Sequence, residues 1–201
     1  MGFLKKIFEK KDCEICGGEI GLFGNTKLAD GDMCKDCKAK LSPLFRVTDE
    51  TTVADILGQI EYRKENEKAL EAFKPDEEFG AVDKIFVDTA AKKFVFARNG
   101  DWKDPKADVI DFSQVTEVET DEEEDMMHFD HEDEDTGETS TSEIKVVHFY
   151  VTIHVNSPYF DTIEVCLSEG EVPTLDGDEE DIAKYNEFKR KMNRIKELLG
   201  A

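Results

Sequence analysis

Four of the five cysteines fall in two spaced pairs. Cys13-x-x-Cys16 is followed, seventeen residues on, by Cys34-x-x-Cys37. Two such pairs at this separation are a metal-site signature. A CxxC turn presents two sulfurs to one side of an ion, and the second pair completes the tetrahedron that zinc prefers with thiolates. The expected cofactor is therefore a structural Zn2+ held by Cys13, Cys16, Cys34 and Cys37. Four protein ligands leave no position for a catalytic water. Tetrahedral sulfur suits iron as well as zinc. Disulfides are the other use of such pairs, but no secretory leader is legible to favour them.

Two further groups could carry chemistry. His128 and His131 lie among carboxylates in Met126-Met-His-Phe-Asp-His-Glu-Asp-Glu-Asp135. That stretch lacks the ordered ligands and glycine of a calcium loop and reads as a solvated, disordered segment. Cys166 lies in a later apolar-polar alternation. Pairing Val155 with Ile163 would set His154 against Glu164 and Thr152 against Cys166. A Cys–His nucleophile needs a third orienting group, and none stands out. No phosphate loop, dinucleotide fingerprint, serine elbow or zinc-protease motif is present, so the expectation is a protein that is not an enzyme.

The elements that must position the thiols are short. Gly17 directly follows Cys16, as a tight knuckle requires. Gly17-Gly18, Gly21, Gly24-Asn25 and Asp30-Gly31 make the intervening stretch turn-rich, and Ile20, Leu22, Phe23 and Leu28 can supply a hairpin with an apolar patch. The second pair opens a segment that reads as a helix from Cys34 to Leu41, ending at Ser42-Pro43. Knuckle, hairpin and a helix bearing the second pair form a treble-clef-like zinc ribbon.

These residues carry a resemblance. The run Cys13-Glu-Ile-Cys16-Gly17, Gly21-Leu-Phe-Gly24, Leu28, Asp30-Gly-Asp-Met-Cys34, Cys37 and Lys40-Leu-Ser42 resembles a bacterial zinc-finger domain family of unknown function over residues 10–45. The opening Met1-Gly-Phe-Leu-Lys-Lys-Ile-Phe8 is similar to how such proteins begin. The resemblance implies a bacterial origin and a pleckstrin-homology-like or oligomerisation module behind the zinc module. It implies no activity.

Beyond the module, Thr51-Thr-Val-Ala-Asp55 reads as a cap on a helix. Its stripe is Val53, Ile56, Leu57 and Ile60, resumed at Leu70 and Phe73, and Lys74-Pro75 ends it. The polar stretch 61–68 marks a connector that docks at its ends. From Phe79 the period becomes two: 84–88 and 93–97 flank a turn, and 109–112 and 115–118 follow. In the clearest strand Val147, Phe149, Val151, Ile153 and Val155 share the core face. Ile163, Val165 and Leu167 repeat the pattern. Ile182, Tyr185, Phe188, Met192, Ile195 and Leu199 make an amphipathic closing helix, with acids in its first turn. Antiparallel strands before one such helix are in the order of a pleckstrin-homology-like barrel.

The expected fold class is α+β: a zinc module over 1–46, a connecting helix over 47–75, and a pleckstrin-homology-like antiparallel β domain over 76–201, with a disordered acidic insertion near 119–143. Charge follows this division. The chain holds 48 acids and 26 basic residues, a net −22. Residues 1–46 hold nine basic residues and seven acids, a net of +2, so the remainder carries −24. Glu117 to Glu138 alone contains thirteen acids and no Lys or Arg. Such a balance argues against broad binding to phosphate backbones.

Three functions are consistent with these features. The first is a cytoplasmic, non-enzymatic adaptor that docks a protein partner. The second is an acidic mimic occupying the basic nucleic-acid-binding surface of another protein. The third is nucleic-acid binding through the zinc module, for which a net of +2 is thin support. The leader, with Phe3, Leu4, Ile7 and Phe8 among lysines, offers weak membrane-surface binding through residues 2–8 or packing on the module.

Overall fold

The computed structural model describes residues 11–21, 24–132, 139–169, 173–174 and 179–200. The leader, Leu22 and Phe23 lie outside them. The chain divides into two units, one formed by Met1–Ala72 with Pro105–Asp108, the other by Phe73–Asp104 with Val109–Ala201.

The first unit opens with two small antiparallel pairs, β1 (Lys11–Asp12) with β2 (Glu19–Ile20) and β3 (Asn25–Lys27) with β4 (Asp32–Cys34). Helix α1 (Lys35–Lys38) follows, and α2 (Val53–Ala72) closes the continuous part. The α1 helix is a single turn, shorter than the expected run to Leu41. Past Lys38 the chain tightens into turns, Lys40 N donating to the Cys37 carbonyl (3.1 Å) and Leu41 N to the Lys38 carbonyl (3.2 Å), and Ser42 is committed elsewhere. The Ser42 N–H donates to Gln59 Oε1 (3.2 Å), and its hydroxyl donates to Asp108 Oδ2 (2.5 Å).

The start of α2 is a reciprocal cap. Thr52 N donates to Asp55 Oδ2 (2.9 Å), and Asp55 N donates back to Thr52 Oγ1 (3.2 Å). Such a cap satisfies amides that the first turn would leave orphaned. The rest of the helix corrects the expected stripe. Leu57 is 48% exposed, whereas Ile56, Gln59, Arg63 and Asn66 are buried. The polar middle is therefore the docked face, and Arg63 and Asn66 find their partners in chain that returns some 40 residues later. Arg63 Nη1 donates to Asp108 Oδ1 (2.6 Å) and Nη2 to the Pro105 carbonyl (2.5 Å). Asn66 Nδ2 donates to the Ala107 carbonyl (2.7 Å). Burial pushes the Asp108 carboxyl up from its ordinary value, while the Ser42 hydroxyl and the Arg63 guanidinium pull it back.

The second unit holds two antiparallel sheets. One has the order β5 (Glu77–Phe79), β6 (Lys84–Asp88), β7 (Lys93–Ala97), β8 (Asp108–Asp111). The other has the order β11 (Thr162–Cys166), β10 (Thr139–Val155), β9 (Val115–Glu132). Among the described residues these sheets form no closed barrel. The expected core face of β10 is present: Phe149, Val151 and Ile153 are fully buried. Helix α3 (Glu179–Leu199) lies on that face, with the Phe188 ring stacked on Phe149 and Tyr185 meeting it edge-on at 5.2 Å.

The acidic segment expected to be disordered is strand on both sides of residues 133–138, which lie outside the described residues. From Glu117 to Glu132, β9 pairs with β10 in an unbroken register from His154 to Thr139. The physical reason is the pairing itself: β10, anchored in the core by Phe149, Val151 and Ile153, runs antiparallel to β9 and pairs with it along its length, whereas β11 pairs only with Tyr150–His154. Cross-strand contacts offset part of the charge, as between Lys145 and Glu124 at 2.5 Å. One acid of β9 also anchors α3: Glu122 accepts from the Tyr185 hydroxyl (2.6 Å) and from Lys189. Partial burial would raise its pKa, but these two donors hold it below its ordinary value.

Two predictions follow from these contacts. Arg63→Met strands the buried Asp108 carboxylate and should cost about 3–5 kcal/mol in denaturant unfolding, recovered in part by adding Asp108→Asn. Glu122→Gln should lower the thermal midpoint above about pH 5. A depressed folded-state pKa gives stability that is present above the unfolded value and lost as pH falls through the folded one. The difference between wild type and variant should therefore shrink as pH falls through the ordinary carboxylate range and vanish only below it, once the depressed folded-state pKa has been passed.

Candidate metal centre

The four expected thiols come together. The Sγ atoms of Cys13, Cys16, Cys34 and Cys37 all lie within 4.8 Å of one another. Cys13 to Cys37 and Cys16 to Cys34 are each 3.9 Å. Bonds of about 2.3 Å to a tetrahedral ion place sulfurs about 3.8 Å apart. The cluster can therefore hold a metal ion with little adjustment.

Each half is positioned by backbone. In the first, Gly17 N donates to the Cys13 carbonyl (2.7 Å) and Cys13 N to the Gly18 carbonyl (2.8 Å). The turn takes Gly17 to φ +71°, a left-handed conformation that favours glycine. In the second, Cys34 is the N-cap of α1, its sulfur accepting from Cys37 N at 3.4 Å. Cys34 N in turn donates to Cys13 Sγ (3.3 Å), which ties the halves together. Behind the sulfurs stands a small core of Ile20, Leu28, Met33, Leu41 and Ile56, with Cys13 and Cys37 buried in it.

The hairpin between the pairs is fastened to α2. Ala29 N donates to the Thr51 carbonyl (2.8 Å), and the Asp30 carboxylate accepts from Val53 N (2.8 Å). Gly31 sits where a Cβ would lie 2.6 Å from Glu14 Cγ and 3.1 Å from Val53 Cγ2, so the approach needs glycine. The motif Asp30-Gly31 thus couples the metal loop to the helix cap.

The thiols do not share one acidity. For Cys13, burial works against ionisation, but the N–H of Cys34, with those of Cys16 and Ile15, brings it down to about 6. Burial, with the sulfurs of Cys16, Cys34 and Cys13 around it, pushes the Cys37 thiol up. The cluster therefore presents a ready thiolate at Cys13 beside a Cys37 thiol that resists further negative charge. A cation removes that resistance, because metal coordination drives thiol deprotonation.

The other candidates belong to the second unit. His128 is in β9 opposite Glu143, with Nδ1 3.4 Å from its Oε1. His131 also lies in β9, its backbone paired with Ser140. The β10–β11 register is offset by two residues from the pairing considered above: Ile153 meets Ile163, Thr152 meets Glu164, and Tyr150 meets Cys166. The longer turn is closed by Val155 N donating to the Asp161 carbonyl (2.8 Å). Cys166 thus stands beside Tyr150 and 3.6 Å from Ser168 Oγ. A second group, Glu117, Glu119 and His154, also has ligand atoms within 4.8 Å of one another. Sequence reasoning missed it, because only the β9–β10 register places Glu117 opposite His154.

Known proteins add one finding. The chain matches, over residues 11–59, a domain of unknown function (DUF4428). The match spans both cysteine pairs and the first turns of α2. No curated protein matches the chain. No solved structure matches it either.

Cys13→Ser and Cys37→Ser should each abolish stoichiometric metal binding and the dispersed amide spectrum of residues 11–59. Cys16→Ser, at the exposed corner, should keep partial, weakened binding. Metal analysis with two-dimensional NMR checks this, and equal retention by all three variants would contradict a shared four-sulfur centre.

Proposed function

We propose that this protein is a non-enzymatic, zinc-stabilised interaction protein of the bacterial cytoplasm. Its Cys13, Cys16, Cys34 and Cys37 thiolates hold one structural zinc, and its second unit is a pleckstrin-homology-like domain that docks a protein partner. The observation that carries the reading is the four-sulfur cluster. It is built from two CxxC turns and buried on one side, and its four protein ligands leave no coordination position for substrate. The second unit supports the reading by its order: among the described residues, a run of mostly antiparallel strands precedes an amphipathic helix packed on a sheet. Among the described residues no helix is long and apolar enough to cross a membrane.

Zinc in a segment with so small a core would supply much of its folding free energy, on the order of 10 kcal/mol. Direct nucleic-acid binding by this module is less well supported. Loading a divalent ion on four thiolates changes the charge of residues 1–46 from +2 to +2 − 4 + 2 = 0.

Elemental analysis of the full chain, purified from its native host, tests the proposal. The expected result is one zinc per chain, with loss of the residue 11–59 amide dispersion on chelation and proteins rather than nucleic acid co-purifying. A thiolate-iron absorption band, or nucleic acid bound after high salt, would overturn it.

A further inference from the structure

The outer side of the β9–β10 ribbon has a pattern that the metal centre does not explain. Strand alternation and the β10 register place Glu119, Asp121, Glu123 and Asp125 in one row on the face opposite α3, followed by Met127 and Phe129. Residues two apart on a strand are separated by about 6.8 Å. All four acids are exposed, and so are Met127 and Phe129, at 39% and 40%. Among the described residues, Asp121, Glu123 and Asp125 form no ion pair, while Glu119 reaches only His154, at 3.5 Å. On the other face two of the acids are matched: Glu124 has Lys145 and Glu122 has Lys189.

This row lies on an open edge. The sheet order β11-β10-β9 leaves the outer side of β9 without a strand partner among the described residues. Alternate N–H and C=O groups of an edge strand point outward, as a template for a further strand. A charged edge also serves to prevent aggregation, but that needs neither a four-residue row of one sign nor two exposed apolar side chains continuing it. A row of like charges at strand spacing is self-repelling. Cations at the same spacing relieve that repulsion.

We infer that the β9 edge takes up an extended basic segment of a partner protein by strand addition. Lys or Arg at every second position would face Glu119 to Asp125, and an apolar residue would cover Met127 and Phe129. The inference deepens the interaction reading above and rests on it: it names the docking edge and the chemistry of the partner.

The test uses the full-length, metal-loaded protein and three synthetic peptides of equal composition. One alternates Lys with Thr and ends in Val-Phe, one has its lysines in a single block, and one carries the alternating order with its central Thr exchanged with a terminal Pro present in all three. Anisotropy titrations at low and high salt, with amide hydrogen exchange, give the readout. The expected result is at least tenfold tighter binding of the alternating peptide than of the other two. Affinity should fall steeply with salt, and alternate β9 amides between 119 and 129 should gain protection.

Equal binding of all three peptides, or binding without β9 protection, would overturn strand addition. So would no peptide binding; if proteins still co-purify with the chain, the interaction reading survives that failure. The double variant Asp121→Lys, Asp125→Lys should lose binding tenfold or more with an unchanged circular dichroism spectrum. The exchange pattern of the unaltered protein tests the inference independently of how that variant folds.

Discussion

Thiolates repel one another, and four sulfurs gathered within 4.8 Å need a cation to ionise together. That constraint organises the first unit. The pairs β1–β2 and β3–β4 and the single turn of α1 are each too short to persist alone. They are held by what the sulfurs join: a knuckle turning through Gly17, and a helix start whose cap is itself Cys34. The small core behind them completes the arrangement but could not direct it. Even the hairpin loop is recruited, since Asp30 lends its carboxylate to the first turn of α2.

The metal centre was legible because its chemistry is local. Two CxxC turns place their own sulfurs, and the glycines between them announce where the chain reverses. The core face of β10 was legible for the same reason, since period two is a property of consecutive residues. Helix α2 shows where such reading ends. Its apolar residues suggested a stripe through Leu57, yet the docked face runs through Gln59, Arg63 and Asn66. Burying Arg63, Asn66 and the Gln59 carbonyl requires partners, and those partners, Ser42, Asp108 and the backbone near it, are remote in sequence. A helix read alone cannot reveal partners supplied by a later loop.

The acidic ribbon failed for a related reason. Composition described the insertion near 119–143 as too charged to fold, a fair judgement for an isolated segment. The segment is not isolated: it follows a strand start at Val115 and precedes β10, whose buried side chains anchor the ribbon in the core. Backbone pairing along that anchored strand outweighs the unfavourable composition of its neighbour. Register decides the rest. A two-residue offset between β10 and β11 keeps every side chain on its expected face but moves Cys166 from Thr152 to Tyr150.

The grouping of Pro105–Asp108 with the first unit bears on how the protein is made. The groups that neutralise Arg63 and satisfy Asn66 are encoded some 40 residues downstream, after most of the first sheet of the second unit. A ribosome that has released α2 has therefore not yet released its counterions. The cysteine centre can close early in synthesis, while the polar face of α2 must stay hydrated until residue 108 emerges. The order of translation thus separates the two supports of this unit in time, cysteine cluster first and buried ion pair second.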